Sequence, residues 1–180
     1  MNIVLRELWT VPRFLAWEDG QEGKHEFDGT RIIEMTGGSR AHQRIVANLL
    51  RLLEDSLDPV RFDVVQEMRV NASGTIRYPD ISVVTAPITE DTKTLHDAVV
   101  LFEVLSEDTA EIELGPKLAE YARLQSIRRY VTIDQRQMGV TSRERTQSGW
   151  TPTEVTSGSL ELPELGTSLP LPAIYRRVRV

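Results

Sequence analysis

The chain has 180 residues, 40% hydrophobic and 27% charged, with a formal net charge of -6 at pH 7. That balance fits one globular domain over 1–180 and excludes a disordered or fibrous chain. Cysteine is absent, which removes disulfides, thiolate metal ligands and a cysteine nucleophile together, while the acidic balance argues against nonspecific coating of nucleic acid but leaves room for a local basic groove.

No window approaches the roughly 18 uninterrupted apolar residues of a spanning helix, and the opening MNIVLRELWTVPRFLAWED is too charged for a signal peptide. A cytoplasmic protein with no membrane partner is the expectation.

In chain order, Thr10 to Glu18 reads as a short helix with Thr10 as cap, Pro12 in its first turn and Phe14, Leu15 and Trp17 on its apolar side. The run KHEF-DG-TRIIEM predicts a hairpin, with strands at 24–27 and 30–35 joined by a two-residue turn at Asp28-Gly29. Gly37 and Gly38 break the chain. Ser39 then caps a helix in RAHQRIVANLLRLLEDSL, where Ile45, Val46, Leu49, Leu50 and Leu53 recur at helical spacing.

From Phe62 the pattern becomes that of strands: FDVVQEMRV, TIRYPDISVVT and AVVLFEVLS, read as the middle of one sheet. A helix follows from about Pro116 to Leu124, then the strand RRYVTID. GVTSRERTQSGW and WTPTEV predict edge strands, and the proline-punctuated close ends in a basic tip.

Two of these apolar strands each carry one acid, Asp80 in RYPDISVV and Glu103 in VVLFEVLS. Strand alternation puts Asp80 on the face of Tyr78, Ser82 and Val84, and Glu103 on that of Val99, Leu101 and Leu105. A buried ionised carboxylate costs several kcal/mol unless a basic partner, a proton or a metal neutralises it. Backbone N–H groups and one of the arginines would satisfy the two acids separately. If the strands are neighbours, one Mg²⁺ or Mn²⁺ could instead bridge both carboxylates.

The pattern HEFDGTRIIEMTGGSRAHQRI, RYPDISVV, FEVLS-x-x-T, GPKLAEYARL, a strand ending in Asp134 and LELPELGTSLPLPAIY resembles the Uma-two family of small bacterial proteins. That family is placed with the restriction-endonuclease-like, PD-(D/E)XK nucleases, and the likeness spans nearly the whole chain. The resemblance implies an α/β (α+β) fold with a mixed central sheet flanked by helices, an N-terminal helix and hairpin, and extra C-terminal strands. It implies a catalytic set of Asp80, Glu103, Lys117 and Glu26, with Asp80 and Glu103 holding Mg²⁺ or Mn²⁺ for phosphodiester hydrolysis of nucleic acid, chiefly DNA. Nuclease-like domains often pair, so a homodimer is a further expectation.

Two positions depart from the family pattern. Leu105 stands where the (D/E)XK lysine belongs, and Glu113 replaces an aspartate that usually precedes the helix lysine. Lys117 could be the substitute ammonium, because its flexible stem can reach a site from another backbone position and only Lys24 and Lys93 compete; the alternative is a solvated lysine at a helix start. The rival reading is a nuclease fold kept as a binding module without cleavage.

Other candidates carry bland alternatives. Across a two-residue turn Glu26 would face Arg31 as an ordinary ion pair. His42 shares the apolar stripe of its helix and is either a hydrogen-bonded core residue or part of the cleft lining. Tyr121, one turn beyond Lys117, packs in the core or lines the cleft. Arg123, Arg128, Arg129, Arg176, Arg177 and Arg179 are either a solvated surface or contacts to a nucleic-acid backbone.

Overall fold

The computed structural model describes residues 8–86, 88–105 and 114–180. Helix α1 (Val11–Glu18) begins with a proline in its first turn, where a missing N–H costs nothing, and buries Phe14 completely. Thr10 is extended before it, yet its hydroxyl makes no capping bond, so the predicted cap is absent.

Strands β1 (His25–Phe27) and β2 (Ile32–Glu34) form the predicted hairpin with a different loop. Phe27 pairs with Ile32 rather than Thr30. The cause is Asp28, whose carboxylate accepts the backbone N–H groups of Thr30 at 2.9 Å and Arg31 at 2.7 Å, closing a four-residue loop. Gly29 supplies the positive φ of +93° that this loop needs. Glu26 therefore lies opposite Ile33, and Arg31 pairs with Asp28 at 2.8 Å, which removes the expected Glu26–Arg31 pair.

Helix α2 (Arg40–Ser56) is capped as predicted: the Ser39 hydroxyl accepts the N–H of His42 at 3.1 Å. Its Ile45, Leu49 and Leu53 are fully buried. Next come β3 (Phe62–Gln66), β4 (Arg69–Asn71), β5 (Ile76–Arg77), β6 (Ile81–Thr85), β7 (Thr94–Leu95) and β8 (Ala98–Leu105). The runs at 62–70 and 75–85, expected to lie in one sheet, each cross between two. The first turns at Glu67, at a φ of +46°, and the second through Tyr78, Pro79 and Asp80.

Helix α3 (Leu114–Tyr121) stops short of the predicted Leu124. The Arg145 guanidinium donates to the carbonyls of Tyr121, Ala122, Leu124 and Ile127, satisfying groups that a continuing helix would have bonded. Strand β9 (Arg129–Asp134) leads into the hairpin β10 (Val140–Thr146) and β11 (Gly149–Val155). Of these only β11 is an edge. A second hairpin, β12 (Ser159–Leu162) and β13 (Thr167–Pro170), precedes the short α4 (Leu171–Ile174).

A six-stranded mixed sheet, β11-β10-β9-β8-β6-β3, forms the centre, with β8 and β9 parallel and β6 and β8 antiparallel. One face, through Val100, Phe102, Val131 and Ile133, packs on α2, the β12–β13 hairpin and α4. The other, through Leu101 and Tyr130, meets Tyr121 of α3 and Val70 and Leu95 of a five-stranded sheet, β2-β1-β5-β4-β7. Helix α1 covers that second sheet, its Phe14 stacked on Phe27. No helix among the described residues is long and apolar enough to cross a membrane. Glu113 lies outside the described residues.

Candidate functional site

Strands β6 and β8 are neighbours, and their register pairs Ile81 with Phe102, so one step further the chain sets Asp80 beside Glu103. Asp80 is not inside a strand. It occupies the bend where the chain passes from the five-stranded to the six-stranded sheet, with one carboxylate oxygen accepting the N–H of Val104 at 2.7 Å. His42 of α2 reaches the other at 3.1 Å. The hydrogen bond to Asp80 raises His42 above its ordinary pKa, against a burial effect of opposite sign, with the Asp80 charge and the Val104 backbone adding to the rise.

Glu103 points to the opposite side of β8 from the α2 core. Its Oε2 accepts from the Lys117 ammonium at 2.9 Å and its Oε1 from the Tyr121 hydroxyl at 3.0 Å. Burial pushes Glu103 up despite this ammonium. Burial would lower Lys117, but the Glu103 and Glu26 carboxylates outweigh it and hold the amine protonated above its usual range. Tyr121 is driven well up, chiefly by burial and then by the Glu103 charge, as is Tyr130 beneath it.

Glu26 stands 3.5 Å from the Lys117 ammonium. Its own partners are the Tyr78 N–H at 3.2 Å and Arg77 at 2.8 Å. Arg77, 3% exposed, turns its Nε and Nη2 to Glu120 in a bidentate pair, both bonds 2.7 Å. Thr75 adds a third bond to Glu120 at 3.0 Å. The predicted set of Asp80, Glu103, Lys117 and Glu26 thus converges at one place, with His42 lining the same cavity, and Tyr121 touches it from beneath.

That cavity, of about 390 Å³, is bounded by the two sheets, the Gly37-Gly38 segment and the start of α3. Leu105 lines it with hydrocarbon where the family pattern has lysine. Lys24 and Glu67 close a 2.7 Å ion pair at its edge. His25 instead packs edge-on against Trp17.

The cluster carries an excess of negative charge. Among the described residues, Asp80, Glu103, Glu26 and Glu120 meet two permanent cations, Lys117 and Arg77, which leaves two carboxylate charges for His42, a proton or a bound cation to balance. Among the described residues no three acidic or histidine side chains form a ready-made metal cluster. The available donors are nonetheless oxygens of the kind that suit a hard cation, and Mg²⁺ commonly rests on one or two carboxylates and keeps its waters.

Sequence reasoning missed Arg77, Glu120 and Tyr130. Glu120 was within reach, because three residues after Lys117 it must share that helical side. Arg77 stands next to the Pro-Asp motif, but its partners are 51 and 43 residues away.

This architecture, a mixed sheet with two acids meeting at one end, is a restriction-endonuclease-like fold. A crystal structure from Anabaena variabilis described as "a putative nuclease belonging to DUF820" superposes with a TM-score of 0.79 over 93% of this chain and 97% of that one, at 17% identity. The Uma2 family profile, described as "Putative restriction endonuclease", matches residues 11–173. The chain belongs to the Uma2 (Uma-two) family. Two Synechocystis proteins are also similar: slr1290, 28% identical over 91% of this chain and 89% of its own length, and sll1609, 27% identical over 75% and 80%.

Proposed function

We propose that this protein is a divalent-metal-dependent nuclease that hydrolyses phosphodiester bonds of DNA at the Asp80–Glu103 cluster. The observation that supports the reading is the convergence of Asp80 and Glu103, with Glu26 and the Lys117 ammonium beside them, at the wall of one open cavity. Mg²⁺ or Mn²⁺ would be held by the Asp80 and Glu103 carboxylates, supplying an acidified water and neutralisation of phosphate charge.

The protein's own side chains prepare that site. His42 and the Val104 N–H fix both oxygens of Asp80, and Lys117 and Tyr121 fix those of Glu103. Lys117 also brings the positive charge that Leu105 does not, so it steadies the developing charge on the phosphate from α3 rather than from β8. Glu26 counterbalances Lys117 from the far side, held in turn by Arg77.

A binding module without cleavage is the second reading. It is favoured by Leu105 and by the engagement of Lys117 with two carboxylates. Incubation with supercoiled plasmid and Mn²⁺ separates the two. Nicking by the wild type that falls at least 100-fold in Asp80→Asn supports the nuclease. Nicking that survives this substitution refutes the assigned site, and a wild type that never nicks favours the module.

A further inference from the structure

Some arginines of this acidic protein are engaged by the fold and others are not, Arg123 and Arg128 beyond the end of α3 being two of the exposed ones without a partner among the described residues. Arg69, Arg77 and Arg129 close ion pairs with buried or largely buried carboxylates, Arg145 donates to four carbonyls, and Arg31 and Arg51 pair with nearby acids on their own segments. Arg40, Arg44, Arg176, Arg177 and Arg179 have no ionic or hydrogen-bonding partner for their guanidinium groups among the described residues. All but the half-buried Arg44 are exposed.

These five lie on adjoining pieces of chain. Arg40, Arg44 and Asn48 follow one another at i, i+4 and i+8 along α2, about 6 Å apart in rise. The Asn48 amide donates to the carbonyls of Ile174 and Arg176, each at 2.9 Å, which straps the C-terminal tail across this side of the helix. The Tyr175 hydroxyl, bonded to the Asp134 carbonyl at 2.6 Å, fixes the tail from below. Arg177 then turns the chain at a φ of +61°. The N-terminal end of the same helix carries His42 and Gln43 into the cavity wall, so the cations start two residues from the candidate site.

Cations left unpaired in a chain of net charge -6 give a local field opposite to that of the whole. Such a strip is complementary to a phosphate backbone. Nothing in it serves as a stacking platform for unpaired bases, since its one aromatic ring, Tyr175, is 3% exposed. We propose that the outer side of α2 and the C-terminal tail form a shelf that seats the backbone of a nucleic-acid duplex beside the cavity. The proposal rests on the nuclease reading of that cavity.

The test is fluorescence anisotropy of a labelled 30-base-pair DNA duplex with the full chain in EDTA, across a sodium chloride series. Replacing Arg44, Arg176 and Arg179 together by Gln should lower the slope of log K against log salt by about 2 to 3 and weaken binding at least tenfold at 100 mM salt. Arg123→Gln/Arg128→Gln, at the opposite end of β9, should change neither. Arg44 is half-buried and the other substituted residues are exposed, and an unchanged melting temperature verifies the fold. A triple variant that binds like the wild type, an equal loss in the control pair, or wild-type binding to vesicles of phosphatidylserine but not to the duplex would each overturn the shelf. Salt-dependent duplex binding without any plasmid nicking would leave the shelf standing and sink the nuclease, whereas nicking by a protein whose triple variant binds normally would do the reverse.

Discussion

The two sheets are built on different physical grounds. In the six-stranded sheet, β9 is buried over Arg129–Ile133 and β8 presents Val100, Phe102 and Val104 to the α2 core, so its order comes from hydrocarbon removed from water. In the five-stranded sheet every strand has only two or three residues, and buried or half-buried polar side chains tie it together: Glu26, Arg77 and Glu120 in a chain of ion pairs, and the Arg69–Glu18 ion pair with the Tyr78 hydroxyl hydrogen-bonded to both. The contrast teaches where the candidate site gets its shape. One sheet supplies a rigid floor bearing Glu103, the other a charged wall bearing Glu26, and Asp80 sits where the chain changes from one to the other.

The sharpest way to break this contrast is Arg77→Ala. It strands Glu26 and Glu120 in a buried setting, and urea unfolding should register a loss of about 3–5 kcal/mol. Restoring neutrality with Glu26→Gln and Glu120→Gln should recover part of it. A loss below 1 kcal/mol would mean that the charged wall is incidental. Ile133→Ala in the floor should cost about 2–5 kcal/mol by leaving a cavity, yet leave Mn²⁺ affinity of the folded protein unchanged. Altered affinity there would show that the site depends on core packing as much as on charge.

Smaller effects sharpen the picture at the margins. Ser39→Ala removes the α2 cap and should cost about 1 kcal/mol by thermal melting. Asp28→Asn tests the hairpin loop. Burial acts to raise Asp28, but the Arg31 and Thr30 N–H bonds and side chains hold it well below the ordinary carboxylate range. A depressed folded pKa stabilises above the unfolded value near 3.9 and ceases to as pH falls through the folded one. The wild type should therefore lead the variant at pH 7 by less than about 1 kcal/mol, given the solvent screening of the loop, and the gap should close as pH drops below about 4.

Most elements were legible because local signals and burial agree. Ser39 before an apolar stripe marks α2, and the unbroken run VVLFEVL marks β8 as covered on both sides. The crossings between sheets were not. Alternation continues through Glu67 and through Tyr78-Pro79-Asp80 while the partner strands change, and no residue type there announces a positive φ. The Asp-Gly turn failed because the Asp28 side chain offered the backbone a wider loop, which shifted the partner of Phe27 by two residues and that of Glu26 away from Arg31. Convergence of Asp80 and Glu103 could be foreseen if their strands were neighbours, and that of Lys117 from the family resemblance, with the scarcity of lysine in support. The role of Arg77 could not, since ion pairs between distant segments leave no periodic trace.

The central claim is that Asp80 and Glu103 share one divalent cation. Titration of the protein with Mn²⁺, followed by loss of the free-ion electron paramagnetic resonance signal, tests it most directly. The account predicts one ion per chain in the wild type, with affinity at least tenfold weaker in both Asp80→Asn and Glu103→Gln. Equal binding by all three proteins would contradict it.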